Sequence, residues 1–190
     1  MIYIKHEKGE YGYLDERKNK YMIYSIVSLV SVFVFFFTGI IIYHSNKSLF
    51  SVIAAVAALP AAKMIIGYII IFPYHSGNKE IYDTCVELSQ DKNAILSCDH
   101  VITSEIKTSY ITFAFILNGN VVLYSNHKKI DTSYAEKYIK EILNQKCNIS
   151  NITIYTDSQK FLSRIKALNK NEKMESMDER IAKQLCAYSV

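Results

Sequence analysis

Residues 21–43, YMIYSIVSLVSVFVFFFTGIIIY, decide the architecture, because these 23 residues carry no formal charge. An α-helix rises 1.5 Å per residue, and about 20 apolar residues cross the hydrocarbon core of a bilayer. The stretch therefore predicts a transmembrane helix. It follows a 20-residue head with four acidic side chains, and no small-residue cleavage site comes after it, so it does not fit a cleaved signal peptide.

A second apolar stretch follows almost at once. Residues 50–72 form another run of 23, which a single charged residue, Lys63, interrupts. The link of residues 44–49 has six residues, which is too short for anything but a turn between two long helices. The sequence thus predicts an antiparallel transmembrane hairpin over residues 21–72, with spans at 21–43 and 50–72.

Lys63 lies deep in the second span, one turn after Pro60. A lysine at the centre of a span costs about 2.5 to 3.5 kcal/mol, which a helix rich in Ile and Ala can absorb. Neither span contains Asp or Glu, so the ammonium must find lipid phosphate, water, a polar side chain or another chain. Three readings stay open, namely snorkelling, contact within a homo-oligomer or with a partner membrane protein, and a role in transport or ligand binding.

Small side chains mark a packing seam for the two helices. Lipid gives helices no hydrophobic drive to associate, so close approach depends on small residues. Ala54, Ala58 and Ala62 recur every four residues in the second span. We expect this stripe to face the first helix.

Basic residues set the expected orientation. The head, residues 1–20, carries five Lys or Arg residues, whereas the link carries Lys47 alone. Because Lys and Arg are enriched in cytoplasmic loops, we expect a multi-pass protein of the cell membrane with both termini in the cytoplasm. The four cysteines have no C-x-x-C spacing and are expected to be reduced thiols.

The part after the hairpin reads as an α+β domain over residues 79–168, followed by an amphipathic helix over residues 169–190. Helix and strand patterns alternate in the order α-β-β-β-α-β-α. The turn NGN at residues 118–120 supplies residues that tolerate positive φ and predicts a β-hairpin. Asp131 or Thr132 and Asp157 are predicted to cap helices.

This order resembles the core of the restriction-endonuclease-like, or PD-(D/E)XK, fold. The resemblance implies a metal site made of an Asp on one strand and an acidic-x-Lys on the next, since two carboxylates hold a divalent cation while the lysine steadies the phosphate. Glu105-Ile106-Lys107 has that spacing, and Asp99 is the candidate partner. The triplet falls between the first and second strands, and the second hairpin arm, NVVLYSNHKK, has no carboxylate.

No other constellation indicates an enzyme. The net charge of +4 is scattered, which gives no strong nucleic-acid signal. The histidines have no metal-ligand spacing, and no glycine-rich phosphate loop exists, so no cofactor or metal site is predicted. We expect a membrane-tethered interaction or adaptor domain, with a membrane-anchored divalent-metal nuclease that uses Asp99, Glu105 and Lys107, or an inactive relative of one, as the alternative.

Four motifs carry a second resemblance, namely the head KHEKGEYGYLDERKNKY, SVIAAVAALPAAK, the NGNVVLYS hairpin and the IYTD...FLSRI ending. Together they resemble a family of small, uncharacterised bacterial membrane proteins with two spans, some of which are labelled O-linked GlcNAc transferase-like. That label implies a sugar-nucleotide transferase. The chain has no room for two nucleotide-binding lobes and no tetratricopeptide period, so no catalytic residue is carried over.

Overall fold

The structure, a computed structural model, describes residues 6–44, 49–147, 149, 151–170 and 176–190. The chain divides into two compact units. The hairpin unit comprises Leu14–His75, and the sheet unit comprises residues 6–13 together with the described residues from Ser76 onward. The chain therefore leaves the sheet unit after residue 13 and returns to it at residue 76.

The hairpin unit consists of two long helices, α1 (Tyr13–Tyr43) and α2 (Leu49–Ile71). Both are long and apolar enough to cross a membrane, and 11% of the most apolar window of each helix is buried. Among the residues that the structure describes, nearly all exposed large apolar side chains lie between Met22 and Phe72. A core helix of a soluble protein would bury such side chains, whereas a helix in lipid leaves them exposed.

Contacts at both ends show that α1 and α2 are antiparallel. At one end the rings of Tyr43 and Phe50 lie 6.1 Å apart. At the other end the Lys18 ammonium donates a hydrogen bond to the Tyr74 carbonyl at 2.5 Å. Near this end Gly67 lies close to α1, since a Cβ there would come within 3.2 Å of the Tyr21 ring.

The buried alanines of α2 follow a different line along the helix from the predicted stripe. Ala54 and Ala61 are buried, whereas Ala58 and Ala62 are exposed. A step of seven residues turns an α-helix by nearly two full turns, so Ala54 and Ala61 stay on one line, while steps of four drift steadily round the helix. Of the predicted stripe Ala54, Ala58 and Ala62, only Ala54 is buried, and the second buried alanine of α2 is Ala61. Lys63 is exposed.

The sheet unit contains four strands and four helices among its described residues. In chain order they are α3 (Lys79–Lys92), β1 (Ile95–Thr103), β2 (Thr108–Leu117), β3 (Asn120–Tyr124), α4 (Thr132–Asn144), β4 (Asn151–Tyr155), α5 (Ser158–Lys166) and α6 (Ser176–Tyr188). The strands form one sheet in the order β1-β2-β3-β4, in which β4 runs parallel to β3 and the other pairs are antiparallel. The predicted α+β order is confirmed.

Each face of the sheet carries a separate apolar core. On one face, Phe113, Phe115 and Leu117 of β2 pack with α3 and α5. On the other, Ala114 and Ile116 pack with α4 and α6. The strands alternate their side chains between the faces, and helices cover both, so the unit has three layers.

Local chemistry explains where the elements begin and turn. Asn78, Asp131 and Asp157 each accept a hydrogen bond from a backbone N–H in the first turn of α3, α4 and α5, respectively. Asn118 and Gly119 both have positive φ, as a two-residue β-hairpin turn requires.

The chain is divided differently from the segments read off the sequence. Helix α1 begins at Tyr13, not at Tyr21, and residues 6–13 belong to the sheet unit instead of a separate head over residues 1–20. The helix predicted over residues 169–190 is α6, and it packs in the same core as α4. Part of that prediction, including Met174, lies outside the described residues.

Candidate functional site

The three residues of the nuclease alternative lie apart. Asp99 is in the middle of β1, whereas Glu105 and Lys107 lie in the turn between β1 and β2. Four strand positions separate Asp99 from the end of β1, which corresponds to about 13 Å. Glu105 is exposed, and the Lys107 ammonium binds the Asp131 carboxylate at 2.7 Å. These side chains do not converge on a shared cation position.

Asp99 is instead the centre of a buried hydrogen-bond cluster. Its side chain is 2% exposed, and three protein groups donate to it. The Gly12 backbone N–H and the Ser76 hydroxyl reach Oδ2 at 3.0 and 2.6 Å, and the Tyr110 hydroxyl reaches Oδ1 at 2.9 Å. Gly12 precedes the hairpin and Ser76 follows it, so one carboxylate ties together the two points at which the chain leaves and re-enters the sheet unit.

The backbone of Asp99 is as unusual as its partners. Its φ is +58°, a left-handed conformation that Asp tolerates better than most residues. Cys98 and Ile102 are four positions apart on β1 and would lie on the same face of a regular strand. Cys98 instead packs in the core under α3, and Ile102 packs in the core under α4, so side chains change faces between them. Opposite Asp99 the same change separates Phe113 from Ile111 on β2. A left-handed residue thus shifts the alternation of the sheet by one position.

Residues 6–13, which we call the amino-terminal segment, dock on the free edge of β1. The Gly9 carbonyl accepts a hydrogen bond from the Cys98 N–H at 2.7 Å. The Tyr11 hydroxyl donates to the Gly77 carbonyl at 2.8 Å, and the Tyr11 ring stacks on Tyr82 of α3 at 4.4 Å. Gly9 has positive φ, and a Cβ there would come within 2.7 Å of the Ser97 hydroxyl.

The last described residues cover the rest of the β1 edge. The Val190 N–H donates to the Val101 carbonyl, and the Val101 N–H donates to the Ser189 hydroxyl. The Lys8 ammonium donates to the Ser189 carbonyl at 2.9 Å, which links the amino-terminal segment to this tail. An edge strand that would otherwise offer free hydrogen-bonding groups is therefore covered by segments from both ends of the sequence.

Ser97, Cys98 and His100 flank Asp99 without forming a nucleophilic site. His100 is 1% exposed and shares a hydrogen bond of 2.9 Å with the Ser97 hydroxyl. Burial, with the nearby Lys8 charge, lowers the pKa of His100 to about 4, so the imidazole is neutral at neutral pH. Burial also raises the pKa of the Cys98 thiol far above its ordinary value. A buried neutral thiol is a poor nucleophile.

A cleft of about 480 Å³ opens between the amino-terminal segment, α3 and β1. Its lining includes His6, Glu10, Tyr82, Ser89, Leu96 and Cys98. Its size lies within the range of about 300 to 1,000 Å³ that small-molecule sites occupy. Among the described residues, no three His, Cys, Asp or Glu side chains are grouped to hold a metal ion.

Sequence reasoning missed the amino-terminal segment as part of the sheet unit. The contacts that place it join residues 66 to 181 positions apart, such as Tyr11 with Gly77 and Lys8 with Ser189, and spacing cannot predict such pairs. One signal was present, because KGEYGY holds two of the six glycines of the chain, both with positive φ. Glycines in a charged head indicate a defined backbone path.

Comparison with protein-family models, with curated proteins and with solved structures gives no match. The resemblance to the bacterial two-span family and the resemblance to the restriction-endonuclease-like core both stay predictions.

Proposed function

We propose that the protein is a membrane-anchored binding module: a two-span hairpin holds the sheet unit at the cytoplasmic face, and the sheet unit acts as an interaction or adaptor domain. The observation that carries the proposal is the set of hydrogen bonds at Asp99. The carboxylate that a metal-dependent nuclease would need on its sheet receives three protein donors, two of which flank the hairpin. That arrangement suits an anchoring role.

The composition of the sheet unit supports an even number of membrane crossings. Residues 6–13 and the residues from Ser76 onward fold together, so they must lie on the same side of the membrane. Two spans between them meet that requirement, and one or three would not. Arg17, Lys18 and Lys20 lie at the hairpin end nearer the sheet unit in sequence, which favours the cytoplasm for that side. Four free thiols fit a reducing compartment.

Lys63 supports association within the membrane. It is exposed on α2 and makes no hydrogen bond or ion pair with any residue that the structure describes. In lipid its ammonium would be satisfied by phosphate, by a second copy of the hairpin or by a partner membrane protein. Polar contacts between transmembrane helices contribute about 0.6 to 2 kcal/mol, so the lysine would tune association without deciding it.

The alternative function is a membrane-anchored nuclease, or an inactive relative of one. The sheet supports this alternative through its order, since an antiparallel β1-β2-β3 meander is followed by α4 and the parallel strand β4. The placement of Glu105 and Lys107 in an exposed turn counts against catalysis. An inactive relative fits both observations.

Cysteine labelling in intact cells tests the topology. An impermeant thiol reagent should label a cysteine at Ser48 and should not label one at Ser158, while the parent protein stays unlabelled because its own thiols are cytoplasmic. Labelling at Ser158 with none at Ser48 would place the sheet unit outside and refute the proposal.

A nuclease assay tests the class of function. The full chain in lipid nanodiscs, with Mg²⁺ or Mn²⁺, should cleave linear DNA and RNA no faster than its Glu105→Gln variant. Metal-dependent cleavage that Glu105→Gln and Lys107→Ala both abolish, and that Glu141→Gln on α4 retains, would establish the nuclease instead.

A further inference from the structure

We propose that the cleft between the amino-terminal segment, α3 and β1 binds a small organic cation, an amine or amidinium group attached to a flat apolar body. This proposal concerns the sheet unit alone and does not depend on how the hairpin is oriented in the membrane.

Two polar groups of the cleft, Ser89 and Glu10, offer hydrogen-bond acceptors to a ligand. The Ser89 hydroxyl donates its own proton to the Val86 carbonyl at 2.8 Å, so its lone pairs are left to accept. Glu10 is exposed, and one of its carboxylate oxygens accepts the Glu7 N–H at 2.8 Å, which leaves the other oxygen for a ligand. A ligand that donates several hydrogen bonds matches these groups better than an acceptor does.

The charge of the cleft favours the same class. Burial raises the pKa of the Tyr82 phenol above its ordinary value, and the nearby charges of Asp83 and Glu10 add to the shift in the same direction. Of the described residues that line the cleft, His6 is the one that can carry positive charge. An anionic ligand would meet the Glu10 carboxylate with no lysine or arginine in the cleft lining to pair with, whereas a cation is attracted to that carboxylate.

An aromatic and aliphatic wall suits a flat body. Tyr82 is held between Tyr11, whose ring stacks on it at 4.4 Å and 20°, and Phe113, whose ring lies 6.3 Å away. Val86 and Leu96 extend this wall. Because neighbouring rings already hold Tyr82, its side chain gives the cleft a fixed apolar wall against which a flat body can pack.

Three probes of one shape separate charge from fit. Benzamidine, benzamide and benzoate share a planar ring and differ in charge. Each is titrated into the full chain in phosphatidylcholine nanodiscs, and binding is followed by saturation-transfer NMR, with empty nanodiscs as a blank. We expect benzamidine to bind at least tenfold more tightly than benzamide, and benzoate to show no binding. No binding of benzamidine, or equal binding of all three, would overturn the proposal.

Two variants and a control locate the site. Glu10→Gln should weaken benzamidine about five- to tenfold and leave benzamide unchanged, because it removes charge and keeps shape. Val86→Phe should fill the cleft and abolish binding of benzamidine, with the thermal midpoint checked for both variants. Glu141→Gln, a carboxylate change on α4 outside the cleft, should bind like the parent. Parent-like binding by both Glu10→Gln and Val86→Phe would show that benzamidine binds elsewhere and overturn the proposal.

Discussion

Asp99 and Asp178 are both buried in the sheet unit and both accept hydrogen bonds from backbone N–H groups, but they join very different parts of the chain. Asp178, in the first turn of α6, accepts the successive N–H groups of Asn118 and Gly119 in the β2–β3 turn. Asp99 accepts donors from three separate segments, two of which flank the hairpin. Asp178 fixes one helix to one turn, and Asp99 joins the segments that precede and follow the hairpin in sequence.

A buried carboxylate in a strand is therefore not in itself a catalytic signal. A carboxylate taken from water must recover its hydration from protein donors, and three donors to Asp99 meet that need as fully as a cation would. What distinguishes the two roles is whether an acceptor position is left for a ligand. At Asp99 three protein groups donate to the two carboxylate oxygens.

The largest expected effect is on the free energy of unfolding of Asp99→Ala. Removal of the carboxyl leaves three donors without their acceptor and puts Ala at φ +58°, for a combined loss of about 4 kcal/mol. Asp178→Ala leaves two N–H groups without an acceptor and should lower the free energy of unfolding by about 2 kcal/mol. Thermal unfolding of the full chain in nanodiscs, followed with a thiol-reactive dye that reports exposure of Cys85, Cys98 and Cys147, compares the two variants.

Amide hydrogen exchange should distinguish Asp99→Ala from Asp178→Ala by the regions that each variant loosens. Asp99→Ala should speed exchange in residues 6–13 and spare α6, whereas Asp178→Ala should do the reverse. Asp99→Asn serves as the matched control, because Asn tolerates the left-handed backbone and keeps one acceptor oxygen. Its free energy of unfolding should fall by only about half as much as that of Asp99→Ala. Equal costs for the two alanine variants, with the same exchange pattern, would contradict the distinction between them.

The second largest effect is a pH dependence of stability that arises from His100, which is the next residue but one after Cys98 on β1. Because the pKa of His100 falls from 6.5 to about 4 on folding, the unfolded chain binds a proton between these values and the folded chain does not. Stability contributed by neutral His100 is therefore fully present above pH 6.5 and is lost as pH falls toward 4. The full loss is about 3 kcal/mol, since each pKa unit corresponds to about 1.4 kcal/mol.

Thermal midpoints measured from pH 7.5 to 4.5 test this dependence. His100→Asn removes the titrating group, so its midpoint should fall less steeply over that range than that of the parent. His127→Asn, a change in a half-buried histidine of the sheet unit, is the control and should retain the steep fall. If His100→Asn and the parent fall in parallel, His100 does not titrate as the structure implies.

Local elements were predictable from the sequence, whereas the cluster around Asp99 was not. The NGN turn, the caps at Asp131 and Asp157 and the two apolar helices depend on neighbours within a few residues, and each is found where its pattern indicates, except that α1 begins at Tyr13 instead of Tyr21. Gly12 and Asp99 are 87 residues apart, and their hydrogen bond depends on the path of the whole chain. The alanine stripe was predicted from composition, which marks small residues but not which of them become buried, and of its three members Ala54 is buried while Ala58 and Ala62 are exposed.

The smallest effect separates two glycines of the amino-terminal segment. Gly9 and Gly12 both have positive φ, so Ala at either position carries backbone strain of about 1 kcal/mol. At Gly9 a Cβ would also lie 2.7 Å from the Ser97 hydroxyl and 3.0 Å from the Cys186 sulfur, whereas at Gly12 the nearest atom is 3.9 Å away. Gly9→Ala should therefore loosen the segment more than Gly12→Ala does.

Exchange of the Cys98 N–H measures the difference directly, because that group donates to the Gly9 carbonyl. Gly9→Ala should lower its protection severalfold more than Gly12→Ala, and the thermal midpoint should fall further by the equivalent of about 1 kcal/mol. Ser97→Ala combined with Gly9→Ala is the decisive control, since removal of the hydroxyl relieves the closest contact and should recover part of the loss. Equal protection in the two single variants would mean that the segment does not approach β1 as closely as Gly9 permits, and the cleft beside it would then lose one of its walls.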